Sequence, residues 1–577
     1  MKKRTLFVML LIIVCLQISG AANYQKTYLR TDEVWIRANR LCVMTGHLGP
    51  APVFPTTGAE ILNALERLDY NQLTASQKSE YDYLVSKLSN PSERVSFSAK
   101  NITIDPKIFL GAEFYGFSHL KDTPVEEFFI PYRDRIPFFY AGLDASFGDI
   151  AYVEMEYMYK DAWRGFALDS EGNVVKGDNH YSFSNFSFLM APTYDGEWSF
   201  FMNSNDKLNF GFMLFQPVKA GGSIGNDFMN FYIGRTRQSF GNGITGNLVI
   251  GDNFSFQEMM KLSFFSDIFS YYLSLTHFDN VEEGSSFKFD GLHQNRLIHR
   301  FDVNLFNKFR IAVNIGAHMV TDSPFDFRMF NPMMIVHNWC NNSESIEWSP
   351  DNRDEVNNVM GFEFEYAFYP GFMATAQVLI DQFRLPVEKD STVPSAFGLL
   401  ANVRYITPLW EGYLDSYFEA AYTSPYLYLN YKSWKDSGDD MYMLDHIVGY
   451  NFGGGSPAEI SYSGYQYGPD AIVIAAGSEF SMYGDWSASA NLMYMAHGEY
   501  GKESWRKMNN RDDANATAPS GTVEHTFLIK LGGSYSILDN LKVTASLYTS
   551  FKWNYHNQTN VFRTDVQGSV GLSWMII

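Results

Sequence analysis

The stretch LDNLKVTASLYTSFKW, Leu538–Trp553, decides the fold class. After the turn residues Asp539 and Asn540, apolar side chains recur at every second position, with polar side chains between them. A period of two is typical of a β-strand that has one apolar and one polar face. The last residues, from Val566 to Ile576, repeat the pattern. The end of the chain is therefore predicted to consist of amphipathic strands joined by a short turn.

The connections between such strands alternate in length over the second half of the chain. Tight turns are expected around Asp267, Asn307, Pro370-Gly371, Trp410-Glu411, Gly484-Asp485 and Leu538-Asp539-Asn540. Longer polar connections separate them, at roughly 279–297, 321–357, 384–395, 425–470, 498–522 and 554–563. A transmembrane barrel has short periplasmic turns and long external loops, whereas a soluble sandwich has no reason to sort its connections in this way.

The strand count follows from the same pattern. Counting back from Ile577 gives about thirteen strands by residue 257, and the earlier strands are blurred, so the count predicts sixteen to twenty in total. The final strand follows a long connection and therefore runs inward, which leaves the C-terminus in the periplasm. An even strand number then places the N-terminal residues on the same side.

The composition agrees with a barrel but does not require one. Aromatic residues make up 17% of the chain, while its mean hydropathy is only −0.19, as expected for strands with one polar face and aromatic girdles at the membrane interfaces. A secreted β-protein that binds glycans would have a similar composition. A net charge of −20 argues against nucleic acid as a partner, since phosphates require a basic surface.

The N-terminal residues differ from the rest of the chain. Residues 1–21 have the basic start, apolar run and small residues before the cleavage point that are typical of a secretory signal peptide. Residues 22–92 contain two capping-box patterns, Thr57 with Glu60 and Thr74 with Gln77, each ahead of apolar residues at helical spacing. We therefore expect a small periplasmic helical module at 22–92 and the barrel at 93–577.

Cysteine and histidine usage limits the possible chemistry. After removal of the signal peptide only Cys42 and Cys340 remain, which excludes a disulfide framework but leaves one bridge between them open. Two cysteines and scattered histidines argue against a structural zinc site. We expect neither a metal nor a cofactor.

A glycine-rich stretch, RQSFGNGITGNLVIGDN at Arg237–Asn253, contains a literal GxGxxG. A dinucleotide site needs a helix directly after the glycines, but Gly251, Asp252 and Asn253 interrupt any helix, so a nucleotide site is not expected. Arg235 and Arg237 lie two residues apart and are expected to face the lumen, because arginine facing lipid at mid-bilayer costs about 2–4 kcal/mol. They indicate either an internal ion-pair network that plugs the barrel or a contact with an anion or sugar.

The same stretch resembles a segment of the Wzi-type capsule assembly proteins. The resemblance rests on Gly234–Leu248 with Asp252-Asn253, on His299-Arg300-Phe301, on Phe327–Pro332 with His337, and on Leu41–Leu65. Asn242 stands where a proline is usual, and His318 lies near the expected place of a glutamate. The resemblance implies a barrel of about eighteen strands, a periplasmic helical bundle, and a surface lectin that holds capsular or other long polysaccharide to the cell.

The candidate residues for glycan contact or for a lumen network come from these segments and from two aromatic loops. They are Arg235, Arg237, Asn242, Asn247, Asp252, Arg300, Arg328, Asn331, His337, Tyr428, Trp434 and Trp505. The loop aromatics could equally form the girdle at the membrane edge.

Three functions are open at this stage. The first is an outer-membrane lectin whose partners are surface polysaccharide and membrane lipid, working as a monomer. The second is a diffusion porin or a transporter of hydrophobic solutes or lipid. A hydrolase using His299, His318 or His337 is less favoured, because no nucleophile elbow or acid–histidine spacing accompanies them; we expect no enzymatic activity.

Overall fold

The computed structural model describes most of the chain. The described residues are 24–89, 97–99, 102–118, 134–159, 166–168, 174–176, 185, 217–278, 293–321, 330–331, 355–382, 395–428, 430–433, 440–443, 447–451, 458–482, 484–501 and 516–577. The expected signal peptide lies outside them, and so does the expected boundary between module and barrel at 92/93.

Eighteen antiparallel strands close into one ring within these ranges. They are β1 (Ile102–Phe117), β2 (Phe139–Phe147), β3 (Ala151–Tyr159), β4 (Lys219–Gly225), β5 (Met229–Thr236), β6 (Gln257–Phe265), β7 (Phe269–Phe278), β8 (His293–Leu305), β9 (Phe309–Thr321), β10 (Glu355–Tyr369), β11 (Phe372–Gln382), β12 (Ala396–Leu409), β13 (Gly412–Thr423), β14 (Ala471–Met482), β15 (Trp486–His497), β16 (Glu524–Leu538), β17 (Leu541–Trp553) and β18 (Phe562–Met575). The ring closes where β18 pairs with β1, from Gln567 opposite Phe117 to Met575 opposite Phe109.

The predicted strand pattern is confirmed. Thirteen strands, β6 to β18, follow residue 257, and the short connections fall at the six predicted turns. In the turn between β12 and β13, Trp410 takes a left-handed φ of 51°, and in that between β10 and β11 Gly371 takes a φ of 87°. These two turns have only two residues each, and so they reverse the chain within a single ladder step.

The outer face of the ring is apolar. Val570, Phe418 and Leu492 each expose about half of their surface, whereas the neighbouring positions of opposite parity, such as Gln567 and Glu419, are buried in the lumen. A closed antiparallel ring with an apolar exterior satisfies every ladder hydrogen bond within the sheet, as a bilayer requires. The chain is therefore an outer-membrane β-barrel.

No helix among the described residues is long and apolar enough to cross a membrane. The helices α1 (Glu33–Met44), α2 (Gly58–Glu66) and α3 (Ala75–Ser89) form a small module whose core includes Leu41, Ile61 and Leu84.

Both predicted capping boxes are present. The Thr57 backbone N–H donates to the Glu60 carboxylate at 2.8 Å, and the Glu60 N–H donates back to the Thr57 hydroxyl at 3.3 Å. Thr74 and Gln77 exchange the same two bonds at the start of α3. Each box satisfies backbone donors that a helix N-terminus leaves without intrahelical partners.

The module lies against the end of the barrel that carries the short turns. Leu48 N–H donates to the Asn307 carbonyl at 2.9 Å, and Gly371 N–H donates to the Val43 carbonyl at 2.8 Å. Asn63 Nδ2 donates to the Asp267 carboxylate at 3.1 Å. Short turns are periplasmic in outer-membrane barrels, and the periplasmic placement of the module stays a prediction that rests on this rule.

The two cysteines are not both described. Cys42 is a free, buried thiol in α1, and burial raises its pKa to about 12. Cys340 lies outside the described residues. Cys42 carries no disulfide bridge.

Candidate functional site in the barrel lumen

The connection between β5 and β6, residues 237–256, enters the lumen and is called the plug segment here. Ser239 and Phe240 pair antiparallel with Phe54 and Val53 of the N-terminal residues. Gly241 N–H continues this pairing by donating to the Pro52 carbonyl at 2.8 Å. The plug segment therefore begins at the end of the barrel that carries the long connections. From there it reaches residues 52–54, which precede α2 of the helical module.

The glycine motif of the plug segment wraps around a carboxylate of the barrel wall. Ile244 and Thr245 each donate a backbone N–H to Glu419 of β13 at 2.6 Å, and the Thr245 hydroxyl donates at 2.6 Å. Asn402 Nδ2 of β12 adds a fourth bond at 3.0 Å. Successive backbone N–H groups form an anion-binding concavity of the kind called a nest. The motif does bind an anion, but the anion is the protein's own Glu419.

Two of the motif's glycines are required by the backbone. Gly241 has a φ of +115° and Gly246 a φ of +140°, where side chains are rarely tolerated. A Cβ on Gly246 would also lie 3.0 Å from the Tyr465 ring. The glycines therefore serve a close approach between chain segments rather than a nucleotide.

Asn242, the second residue of the motif, contacts a buried charge network. Its side chain donates to Glu365 and its backbone N–H donates to Glu363 at 3.3 Å. Arg300 pairs with Glu363 at 2.5 Å, and Arg310 pairs with Glu365. Buried charges of this kind are tolerated only when paired and hydrogen-bonded. Asn242 and Arg300 thus both belong to an internal network.

Asn247 stabilises the glycine motif through hydrogen bonds of its side-chain amide. Its Oδ1 accepts from Gly243 N–H at 2.9 Å and from Gln377 Nε2 at 2.7 Å, and its Nδ2 donates to the Ser239 hydroxyl at 3.1 Å. Gln377 Oε1 in turn accepts from Leu248 N–H at 3.0 Å. The side chain of Asn247 is buried, and its amide is fully engaged within the protein.

Arg237 and Asp252 pair with each other across the plug segment. Arg237 Nε and Nη2 reach the Asp252 carboxylate at 2.8 and 2.5 Å, and Nη1 reaches Asp134 at 3.2 Å. Both side chains of the Arg237–Asp252 pair keep a fifth to a quarter of their surface exposed. Among the predicted site residues inside the barrel, this pair retains accessible polar surface.

Arg235 does not share the lumen orientation that was expected for it. It stands opposite Glu258 in the β5–β6 register and forms an ion pair with that residue. Arg235 lies two residues after Ile233 and therefore on the same face of β5, and Ile233 is 56% exposed on the outer face of the barrel. The prediction that Arg235 faces the lumen is therefore wrong; it lies at the external end of β5, where Glu258 neutralises its charge.

The plug segment is covered from the external side by residues 424–428 and 462–470, which are called the cap here. Tyr428 is fully buried; its hydroxyl donates to the Leu248 carbonyl at 2.7 Å and accepts from Tyr465 N–H at 2.8 Å. Asn253 Nδ2 donates to the Gly464 carbonyl at 2.6 Å. Burial raises the pKa of Tyr428. Tyr428 is thus a packing residue rather than an exposed sugar platform or a girdle residue.

The cap is tied to the outer connections through Asp470. The Asp470 carboxylate accepts from the Ser520 N–H at 2.9 Å, the Ser520 hydroxyl at 2.5 Å and the Tyr500 N–H at 3.1 Å. Its own N–H donates to the Ser424 carbonyl at 3.1 Å. Burial raises the pKa of Asp470 despite these bonds.

Of the remaining predicted residues, Asn331 is the one that the structure describes. Asn331 is exposed, and Arg328, His337, Trp434 and Trp505 lie outside the described residues. The described part of the chain holds no group of three or more residues that could ligate a metal. Glu419, Gln377, Asn402 and Tyr465, which hold the plug segment, were not predicted. For the three strand residues Glu419, Gln377 and Asn402, a position of lumen parity was the sequence signal.

The fold has solved counterparts. No protein-family model matches the sequence, and no curated relative matches it. The chain is similar to Wzi, an outer-membrane protein of Escherichia coli involved in group 1 capsule assembly, with a TM-score of 0.52 and 14% identity over 95% of this chain and 98% of that chain. The outer-membrane channel DcaP of Acinetobacter baumannii gives 0.37 and 10% identity over 84% and 100% of the two chains. At 14% identity the Wzi similarity bears on the fold alone, and it agrees with the eighteen-strand ring.

Proposed function

We propose that this protein is a lectin-like outer-membrane barrel that holds surface polysaccharide to the cell, without enzymatic activity. The observation that carries the proposal is the fixed position of the plug segment inside the barrel. The plug segment is bonded at once to the wall through Glu419, to the module side through Pro52, and to the cap through Leu248. A barrel whose interior is occupied in this way has its external end available for binding.

The external end offers the groups that sugars need. Glycan binding uses aromatic faces and fixed polar groups. Tyr467 and Tyr500 are half-buried and packed by Tyr465 and Tyr426, with ring centroids 5.6 and 5.5 Å apart, so their orientation is fixed. The Arg237–Asp252 pair supplies partly exposed polar groups. The proposal also draws on Wzi, which is described as a carbohydrate-binding β-barrel.

The alternative function is a diffusion porin or a hydrophobic-solute transporter. It requires the plug segment to leave the lumen, which breaks the three bonds from Ile244 and Thr245 to Glu419 and the bond from the Tyr428 hydroxyl to the Leu248 carbonyl. Purified protein in planar bilayers distinguishes the two functions. We expect no steady ohmic conductance from the wild-type chain, and robust open channels would contradict the anchor function.

Deletion of the gene, followed by measurement of cell-associated and shed polysaccharide, tests the proposal directly. We expect a shift of polysaccharide into the medium that the wild-type gene restores. A Tyr467→Ala, Tyr500→Ala double variant should restore less, whereas Tyr70→Ala, at an exposed tyrosine of the periplasmic module, should restore fully. Unchanged retention after deletion would overturn the proposal.

A further inference from the structure

One sector of the outer face of the ring, formed by β7, β8 and β9, is buried although its side chains point away from the lumen. Ile298 of β8 faces inward, because it packs in the same cluster as Leu248 of the plug segment. Leu297 precedes Ile298 and therefore points outward, since successive side chains of a strand lie on opposite faces. Leu297 is nevertheless only 1% exposed. It is buried within one copy of the chain, so its cover belongs to the same chain.

The pairing register shows how this burial develops across the sheet. One row of paired residues runs through Ile233 of β5, Met260 of β6, Leu275 of β7, Leu297 of β8 and Ala317 of β9. Ile233 is 56% exposed, whereas Leu297 and Ala317 are each 1% exposed. The outer face therefore changes from open to covered within a single row.

The covered positions lie at the same height as exposed positions on the other side of the ring. Leu297 lies eight residues before Leu305, where β8 ends at a short turn. Ile474 lies eight residues before Met482, the corresponding end of β14. Ile474 is 40% exposed, as expected for an apolar side chain that contacts lipid. Height along the strand therefore does not explain the burial of Leu297.

An aromatic side chain from outside the strands contacts this sector. The buried apolar residues on the outer face form one cluster, which consists of Leu273, Leu275, Leu297, Ala317 and Met319. Among the described residues packed against the cluster, Phe330 is the one that lies outside the strands. Phe330 follows Thr321, the last residue of β9, by nine residues and belongs to the β9–β10 connection. Phe330 thus occupies a place at which lipid would otherwise contact the ring.

The covered sector also carries polar side chains, whereas the lipid-facing side of a barrel strand is normally apolar. His299 points outward like Leu297; it is 2% exposed, and its Nδ1 lies 2.8 Å from the Tyr271 hydroxyl. Asn295 is also buried on this face, and its Oδ1 lies 3.0 Å from Nδ1 of His277. Burial of polar groups is tolerated when they are hydrogen-bonded. These pairs are therefore typical of a surface covered by protein rather than by lipid.

We propose that the β9–β10 connection, residues 322–354, is seated through Phe330 on the outside of the ring and replaces lipid over β7, β8 and β9. The chain is long enough to do so. Thr321 stands four residues beyond Ala317 along β9, which is a descent of about 13 Å. The nine residues from Thr321 to Phe330 can span about 30 Å when extended. The inference does not depend on the polysaccharide-binding function.

The test maps lipid contacts on the full mature wild-type chain in phosphatidylcholine vesicles whose lipid carries a diazirine on the acyl chain. Illumination attaches the lipid to side chains that touch it, and peptide mass spectrometry locates the adducts. We expect adducts on β5 around Ile233 and on β14 around Ile474, and several-fold fewer on β8 around Leu297, because its outer face is covered. Equal labelling of β8 and β14 would overturn the proposal.

Variants of Phe330 test which segment forms the cover. Phe330→Asp places a charge against an apolar cluster, so the contact should be lost and labelling of β8 should rise toward that of β14. Phe330→Leu keeps an apolar side chain and should keep the wild-type pattern. Phe306→Asp is the matched control, at a 92% exposed phenylalanine in the β8–β9 turn, and should leave β8 protected.

The mobility of unheated samples in a denaturing gel shows that each variant has formed the barrel. Protection of β8 that persists in folded Phe330→Asp would overturn the assignment of the cover to this connection. Protection that disappears when wild-type vesicles are made richer in lipid would assign the cover to a second copy of the chain and would also overturn it.

Discussion

Glu419 and Asp470 both accept backbone N–H groups, but they hold different parts of the molecule. Glu419, in the wall strand β13, accepts from two adjacent residues of the plug segment and fixes that segment to the ring. Asp470, just before β14, accepts from Tyr500 and Ser520 and joins the connection between β15 and β16 to the cap. One carboxylate determines what fills the lumen, and the other determines the shape of the external surface.

This difference gives a way to test the lectin-like function and the porin function separately. If the Glu419 contact controls the lumen, breaking it should change permeability. If the Asp470 contact controls the surface, breaking it should change external accessibility and binding while the lumen stays filled.

The largest expected effect is that of Glu419→Ala. The change leaves the backbone N–H groups of Ile244 and Thr245 without an acceptor and removes one of the two acceptors of Asn402 Nδ2, at a cost of about 3 kcal/mol or more. We expect the plug segment to detach and ohmic conductance to appear in planar bilayers, with a lower unfolding midpoint.

Asp565→Ala is the matched control for that experiment. Asp565 is a buried lumen carboxylate of β18 that bonds Arg563 of its own strand at 3.0 Å. The loss of this ion pair should destabilise the protein without opening a channel. Equal conductance from both variants would show that the Glu419 contact does not hold the plug segment.

Asn242→Ala should have an intermediate effect on the same segment. It removes the side-chain bond to Glu365 and leaves the four bonds on Glu419 in place, so we expect a loss of about 1–2 kcal/mol in unfolding free energy. Conductance should remain absent. A variant that conducts like Glu419→Ala would assign the main anchoring role to the charge network instead.

The smallest effect on global stability is expected from Asp470→Asn, which alters only the contacts of Asp470 with Tyr500 and Ser520. An amide presents an N–H to donors that formerly met a carboxylate oxygen, so the outer connections should be cut faster by protease added to intact cells. The unfolding midpoint should fall by only a few degrees.

The stability of the contacts made by Asp470 should also depend on pH, and the direction of this dependence follows from the pKa of Asp470. Burial raises the folded-state pKa of Asp470 above the ordinary value of 3.8, so the folded protein takes up its proton at a higher pH than the unfolded chain. The stabilisation it provides should grow as pH falls through the raised pKa and diminish above it. Proteolysis of the wild type should therefore slow toward acidic pH, and Asp470→Asn should lack this dependence; the same slope in both would contradict the assignment.

The ring was predictable because its determinants are local. Alternating side chains from Leu541 to Phe551 and turns such as Pro370-Gly371 lie within a few residues of each other, and the two capping boxes span three residues each. The first strands were harder to place, because the connections from β1 to β2 and from β3 to β4 are long and interrupt the alternation.

The lumen contacts were not predictable in the same way. Glu419 lies 174 and 175 residues from its plug-segment donors, and nothing in its own neighbourhood marks it out from other lumen-facing acids. Arg237 and Asp252 could be singled out because they are close in sequence. The orientation of Arg235 was misjudged because Glu258, its neutralising neighbour, stands on the next strand.

The series of contacts from cap to wall has a mechanical consequence. A long polymer held at the cell surface and dragged by flow pulls on whatever grips it. Tension on the cap would pass through Leu248 and the glycine motif into Glu419, and from β13 into its neighbours through ladders that run the full strand length. The force would thus be distributed over the closed ring of strands and would not act on a single loop.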